Sequence, residues 1–570
     1  MRLGWDGMVK IGVPVPLDVE LPPAAWTGPG ELVVDAPALG PEVGRVVTST
    51  AVPFQAVAGA SQIIHARVVI SDPRRPLVVR VFHHGREAFR RTVPISPGQV
   101  PGRLLVALSD DHAGLASLRR LAGRVGVVYV TGSMLPRFWQ EYLGVDLVVI
   151  RDLDSPPLDS AQQEALRTWI LLGGRLLLIA RPGVRLPPTL EPMLPATLGE
   201  TRTVPFLAAL AASDGGALPS GPATVTALVP HPAARRMTAG GLPLAASWDA
   251  GRGQVIEWGI DPWLPPFLEW SGRLRWWGEA LGPEGAPAVD SATIADKLVI
   301  VTPLDPLVHV LAGGAIILYM GLLLGLLRWR ATPAGAGWSL LLVLIGLGGF
   351  SLLGETARAR SARLTEATVL EPVGVTRIAR ITTSAAVVVP YGGRYRITVA
   401  RDMVVQPITP SSDLRVELSG AGTVLTGVLR PGEPARPFQA VGVAPLLASA
   451  AISEDGRRLV VDLGSFGIRR AELRHRDRVY PLGDLPAGRS VAGLHPDGWV
   501  AAGSEARTLP EFSARLRDAI FQGPSGGAIL GGTTPVLVGE LDRAAPVFTL
   551  EGAGAPGQRL TILLMPLERR

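Results

Sequence analysis

Between Asp305 and Glu355 the only charged residues are Arg328 and Arg330. Pro306 to Leu327 is uncharged throughout, and as a helix these 22 residues rise about 33 Å, the depth of a bilayer's hydrocarbon core. A second uncharged run, Ala331 to Gly354, holds the apolar segment Trp338 to Leu353 and is closed by Glu355, Arg358, Arg360 and Arg363. The pattern predicts a transmembrane helical hairpin, 306–327 and 336–354, that turns at Pro333, Gly335 and Gly337. Trp329 and Trp338 would lie at the interface. Gly321 and Gly325 form a small-xxx-small face for helix packing, and His309 lies one turn from the edge. Two spans place the flanking regions on one side. A lone histidine among uncharged residues builds no polar transport path.

The remaining composition points to folded, turn-rich domains. With 570 residues the chain exceeds a single core, and its mean hydropathy of +0.30 is more than two helices can supply. The 67 glycines and 52 prolines are scattered through apolar runs, as turns between short strands would scatter them. A net charge of +6 without a basic run predicts no nucleic-acid partner. The absence of cysteine removes disulfides, thiolate metal sites and cysteine nucleophiles together. No apolar signal core is visible in residues 1 to 20.

Residues 1–102 read as a β-sandwich. Val13 to Leu21, Ser61 to Ser71, Pro76 to His83 and Arg86 to Pro94 are strand-like, with turns at Asp72-Pro73 and His84-Gly85. Residues 103–285 alternate strand and helix, which predicts a parallel sheet. Leu104 to Leu108, Val125 to Val130, Val145 to Ile150 and Leu176 to Ala180 are its strands. Between the last two, Ser160 with Gln163 reads as a capping box, and Ala161, Ala165, Leu166, Trp169 and Ile170 form one helix face. Gly173-Gly174 ends that helix. Residues 286–304 read as a linker to the hairpin at 305–355, and residues 364–570 as a C-terminal β-rich region with one amphipathic helix, Leu509 to Phe521. The expected fold class is a multidomain α/β plus all-β membrane protein.

Two resemblances add to this. Gly4-Trp5-Asp6-Gly7 with Lys10, Gly12 and Pro16 resembles the opening of a family of bacterial envelope proteins, and Val479 to Gly488 resembles the end of an immunoglobulin-like module in such proteins. Gln162 or Gln163, Ala165, Leu166, Trp169, Gly173 and Gly174, with Gly251 to Trp258 and Asp261-Pro262, resemble the class I glutamine amidotransferase-like domain. That resemblance implies a flavodoxin-like, amidotransferase-like α/β fold over about a third of the chain. Without cysteine its reaction is lost and only the fold is expected.

Candidate chemistry is sparse. Asp110, Asp111, Asp152, Asp154 and Asp261 fall near the carboxyl ends of the expected parallel strands, where open α/β sheets bind ligands and where carboxylates hold hard cations. The competing reading is loop and cap residues. Ser133 follows a strand as a nucleophile would, but has no evident histidine partner. Gly523 to Gly527 matches G-x-S-x-G in the wrong context, after a helix. His65, His83 and His84 lie on or beside strands whose neighbours face opposite ways, so no metal site is expected from them. No cofactor is expected. The expectation is a non-catalytic, two-pass membrane-anchored envelope protein, its large domains outside the cytoplasm. Its partners would be the lipid bilayer and other proteins, or further copies of itself through the hairpin. The alternatives are a membrane-bound hydrolase using Ser133 or the acidic strand ends, and an accessory subunit of a transport or secretion complex.

Overall fold

The computed structural model describes the chain outside 24–25, 39–45, 97–99, 113–124 (apart from Leu115 and Leu118), 153–157, 182–186, 205–220, 240–241, 271, 283–361 (apart from Ile294, Leu298, Gly314, Tyr319, Met320 and Gly321), 374–377, 390–392, 401, 409–413, 420–421, 430–434, 502–509, 523–534, 542–545, 552–557 and 570. Strands dominate these residues and form sheets of 3, 7, 2, 9, 8 and 4 strands. The α-helices with described bounds are Ser160–Leu171, Arg273–Leu281 and Glu511–Gln522.

This corrects the expected fold class: the described residues form a β-rich assembly of several sheets with few helices, and no transmembrane helical hairpin is found among them. Among the described residues no helix is long and apolar enough to cross a membrane. Of the expected hairpin only Gly314, Tyr319, Met320 and Gly321 are described, and Gly321 is helical and exposed; His309 and Gly325 lie outside the described residues. The two-pass anchor and the localisation built on it are corrected accordingly. A span needs about 20 residues of continuous apolar helix, and residues 306–327 and 336–354 lie, apart from those four, outside the described residues.

The seven-stranded sheet runs in the order Arg235–Ala239, Leu242–Ala250, Gly253–Trp258, Arg175–Ile179, Leu147–Ile150, Arg103–Leu108, Val125–Val130. The last five are mutually parallel, and the first two add on antiparallel. Leu147–Ile150 is buried at every position, because both faces are covered. One face packs on the helix Ser160–Leu171 through Leu166, Trp169 and Ile170, and the other on an aromatic layer that includes Trp263, Trp270, Trp276 and Trp277. The capping box is Asp159 with Gln162, not Ser160 with Gln163. The Asp159 carboxylate accepts from the Gln162 amide at 2.8 Å, and the Gln162 side chain accepts from the Asp159 amide at 3.0 Å. Gly174 closes this helix because a Cβ there would lie 2.3 Å from the Trp169 ring.

The N-terminal strands do not form a closed unit. Arg2–Leu3, Pro14–Leu21 and Gln62–Val69 make the three-stranded sheet. Gly28–Ala38, Val46–Ala56, Leu77–His83 and Arg86–Val93 enter the eight-stranded sheet beside four strands from residues 393–550. The junction is a parallel ladder, Ser49 to Ala51 against Arg415 to Glu417, flanked by an Arg415–Glu31 ion pair. His84 and Gly85 carry φ of 44° and 74° in the turn between Leu77–His83 and Arg86–Val93. In the C-terminal region Gly393–Val399 alternates exposed and buried, the signature of a sheet with one covered face. Phe438, Phe548 and Leu459, from the nine-, eight- and four-stranded sheets, share one core.

The opening Gly-Trp-Asp-Gly stretch is a docking loop. Gly4 has φ of 61°, and a Cβ there would meet the Met8 carbonyl oxygen at 2.1 Å. The loop turns Trp5 onto Tyr142, which in turn contacts Trp169, each pair with centroids 5.5 Å apart. Lys10 bonds Asp146 at 2.7 Å, and the same Asp146 oxygen accepts from the Leu104 amide at 2.7 Å. This joins the N-terminal strands to the amino ends of two interior strands of the parallel sheet, Arg103–Leu108 and Leu147–Ile150.

Candidate functional site

Parallel register brings the carboxyl ends of four strands level. Ile150 lies opposite Leu108 and Leu178, and Ile179 opposite Trp258. The residues that follow therefore converge: Ser109, Arg151 with Asp152, Arg181, and Asp261.

Asp152 and Asp261 are brought together, but through arginine. Arg151, 6% exposed, reaches Asp261 through Nε and Nη2 at 3.1 Å each and Asp152 through Nη1 at 3.0 Å. Arg181 donates to Asp152 Oδ1 at 2.5 Å and lies 3.5 Å from Asp261 Oδ2. Ser109 Oγ donates to Asp152 at 3.1 Å, the Trp263 amide donates to Asp261 at 3.0 Å, and the Trp263 ring lies 5.3 Å from the Arg151 guanidinium. Two carboxylates and two guanidinium groups cancel, and each carboxylate already accepts charge-assisted bonds. A hard cation needs those same oxygens. Among the described residues no group of three or more histidine, cysteine, aspartate or glutamate side chains is placed to hold a metal.

The other sequence candidates scatter. Asp110 is exposed, the Asp111 carbonyl accepts from Trp263 Nε1, and Asp154 lies outside the described residues, as does Gly523 to Gly527. Ser133 Oγ is 3.0 Å from Thr131 Oγ1. Sequence reasoning missed Arg151 and Arg181. The available signal was Arg151 itself, a cation placed directly after a fully apolar strand and next to Asp152.

Two glutamates carry raised pKa values. Glu257, on Gly253–Trp258, is fully buried, and burial pushes it up to about 7 against the opposing effect of the Ala196 amide. Its folded pKa exceeds its unfolded value, so the stability contributed by its protonated form is complete below the ordinary carboxyl range. That contribution is lost as pH rises from there through about 7. Glu257→Gln is expected to raise stability at pH 8 by up to about 3 kcal/mol and to leave it nearly unchanged at pH 4. Urea unfolding at the two pH values checks this, and equal effects at both would refute it. Burial likewise pushes Glu141 up to about 7, with Arg67 the largest opposing influence. Glu141 lines a cleft of about 540 Å³ with Ser133, His65 and Asp18.

No family model matches the chain, and no curated protein matches it. Among solved structures, an exo-β-1,4-mannosidase from Opitutaceae bacterium strain TAV5 is 17% identical over 32% of this chain and 36% of its own, with a TM-score of 0.23. A putative ThuA-like protein from Bacteroides uniformis is 10% identical over 28% of this chain and 82% of its own, with a TM-score of 0.19. The chain thus spans about a third of the mannosidase's length. At these TM-scores neither likeness bears on fold or function.

The resemblances to the class I glutamine amidotransferase-like domain and to the envelope protein family are corrected by these results. The matched residues have local explanations. Ala165, Leu166 and Trp169 are the buried face of one helix, and Gly173, with φ of 126°, and Gly174 are its end. Any helix seated between two parallel strands makes similar demands.

Proposed function

We propose that this chain is a non-catalytic binding or scaffold protein. The observation that carries this reading is the arginine-closed cluster at the strand ends. In open α/β sheets this position holds catalytic groups or ligands. Here Asp152 and Asp261 are committed to Arg151 and Arg181, so neither is free as a base or a cation ligand. The lack of cysteine removes thiol nucleophiles, and Ser133 is bonded to a threonine hydroxyl rather than to a base. The continuous sheet between the N-terminal and C-terminal strands supports a scaffold reading, since it presents a large shared surface. A net charge of +6 without a basic track leaves nucleic acid outside the proposed partners.

Chromogenic ester, phosphate and glycoside substrates test the reading. The expected result is turnover at the level of the buffer blank. Hydrolysis that is lost in Ser133→Ala or Asp152→Asn would overturn it.

A further inference from the structure

We propose that the cleft between the N-terminal strands and the edge of the parallel sheet binds a neutral saccharide, with Phe138 as its stacking surface. The proposal stands whether or not the strand ends are catalytically silent, because it concerns a different site.

The cleft has two walls. One comes from Pro14–Leu21 and Gln62–Val69, which contribute Asp18 and His65; the other follows Val125–Val130 and contributes Ser133, Phe138 and Glu141. That second wall lies at the carboxyl end of a parallel edge strand, the side on which open α/β sheets take ligands. Its volume of about 540 Å³ falls within the range of small-molecule sites.

The chemistry of the walls selects the ligand. Phe138 is 53% exposed, although an aromatic ring is normally covered, and Arg67 lies 5.5 Å from its centroid. Ile63 in the same cleft is 57% exposed. Around this apolar surface stand charges of both signs, Asp6, Asp18 and Glu141 with Arg2 and Arg137. Asp18 accepts from Arg2 at 2.5 Å and lies 2.7 Å from His65 Nδ1, and Arg137 pairs with Asp159 at 2.8 Å. An anionic ligand would meet Asp18 and Glu141, and a cationic one would meet Arg2 and Arg137. A polyhydroxylated neutral ring meets neither penalty, because each hydroxyl both donates and accepts. Glu141 suits such hydroxyls as well, since with a pKa of about 7 its carboxyl exists in donating and accepting forms near neutrality. The groups acting on it electrostatically are Arg67, Asp18, His65 and Arg2.

Calorimetric titration of the whole chain with maltotriose, cellotriose, mannotriose and chitotriose, with inorganic phosphate as the charged comparison, tests the proposal. At least one trisaccharide is expected to give saturable heat, and phosphate none. Phe138→Ala is expected to weaken that binding about tenfold without moving the melting temperature. Ser133→Trp, which fills the cleft from the same wall as Phe138, is expected to abolish it and keeps the test decisive if Phe138→Ala folds poorly. No saturable heat with any of the four sugars at millimolar concentration, phosphate binding tighter than the sugars, or sugar binding unaltered by Ser133→Trp would each overturn the proposal.

Discussion

Arg151→Ala is expected to destabilise the chain by about 3–5 kcal/mol, the cost of breaking a buried ion pair from one side. The magnitude follows from what is left behind. Arg151 and Asp261 are each 7% exposed at the side chain and Asp152 is 14%, so removing the guanidinium strands two carboxylates away from water. Arg181 remains, but at 35% exposure it is better solvated and makes only one close bond, to Asp152. Arg151→Lys is expected to recover only part of the loss, because an ammonium cannot bridge both aspartates as a planar fork does. Urea unfolding at pH 7 measures both. A loss below about 1 kcal/mol for the alanine variant would place the cluster among surface ion pairs and remove the argument that it closes the strand ends.

Arg517→Met is expected to cost about 3 kcal/mol, the lower end of the same range, because Glu472 keeps Arg474 at 2.6 Å and Glu540 keeps Arg470 at 2.5 Å. Arg517 is carried by the helix Glu511–Gln522 and is 2% exposed. It lies 2.8 Å from Glu472 and 3.5 Å from Glu540, which are themselves 4% and 2% exposed, and donates to the Arg470 carbonyl at 3.0 Å. Ser513, one turn earlier, donates to Glu540 from the same helix. The helix is therefore held on strands Ile468–His475 and Val536–Leu541 by polar contacts as well as by Leu516 and Ile520. Methionine retains most of the side-chain volume, so the loss reports charge rather than a cavity. Adding Glu472→Gln and Glu540→Gln to Arg517→Met is expected to restore part of the stability. If the triple variant is no more stable than the single one, uncompensated carboxylates are not the cause.

How far the sequence could be read depended on the distance over which each structural decision is made. The turn at His84-Gly85 and the helix carrying Trp169 are settled by neighbours a few residues away, and both were visible in residue types and spacing. The capping box was displaced by one residue because Asp159 and Ser160 are both good caps. Gly28–Ala38 and Val46–Ala56 escaped notice, since they are interrupted by Pro29, Pro37 and Pro53 and read as loop. The site was legible only in half. Asp152 and Asp261 were found as acidic strand ends, but carboxylates alone suggest a cation site, whereas the partners are arginines.

By itself the sequence determined the strand-rich character, the uniformly apolar strands of the parallel sheet and the lack of thiol chemistry. These depend on side-chain volume, polarity and local backbone preference, which every residue carries with it. Tertiary structure alone decided that residues 49–51 and 415–417 share a ladder and that Arg151 and Arg181 neutralise the strand ends. It also decided that Glu257 is enclosed where its carboxyl holds a proton near neutrality. Backbone hydrogen bonds are the same for every sequence, and the strength of a charge depends on its burial, so partners hundreds of residues apart leave no trace in the local pattern.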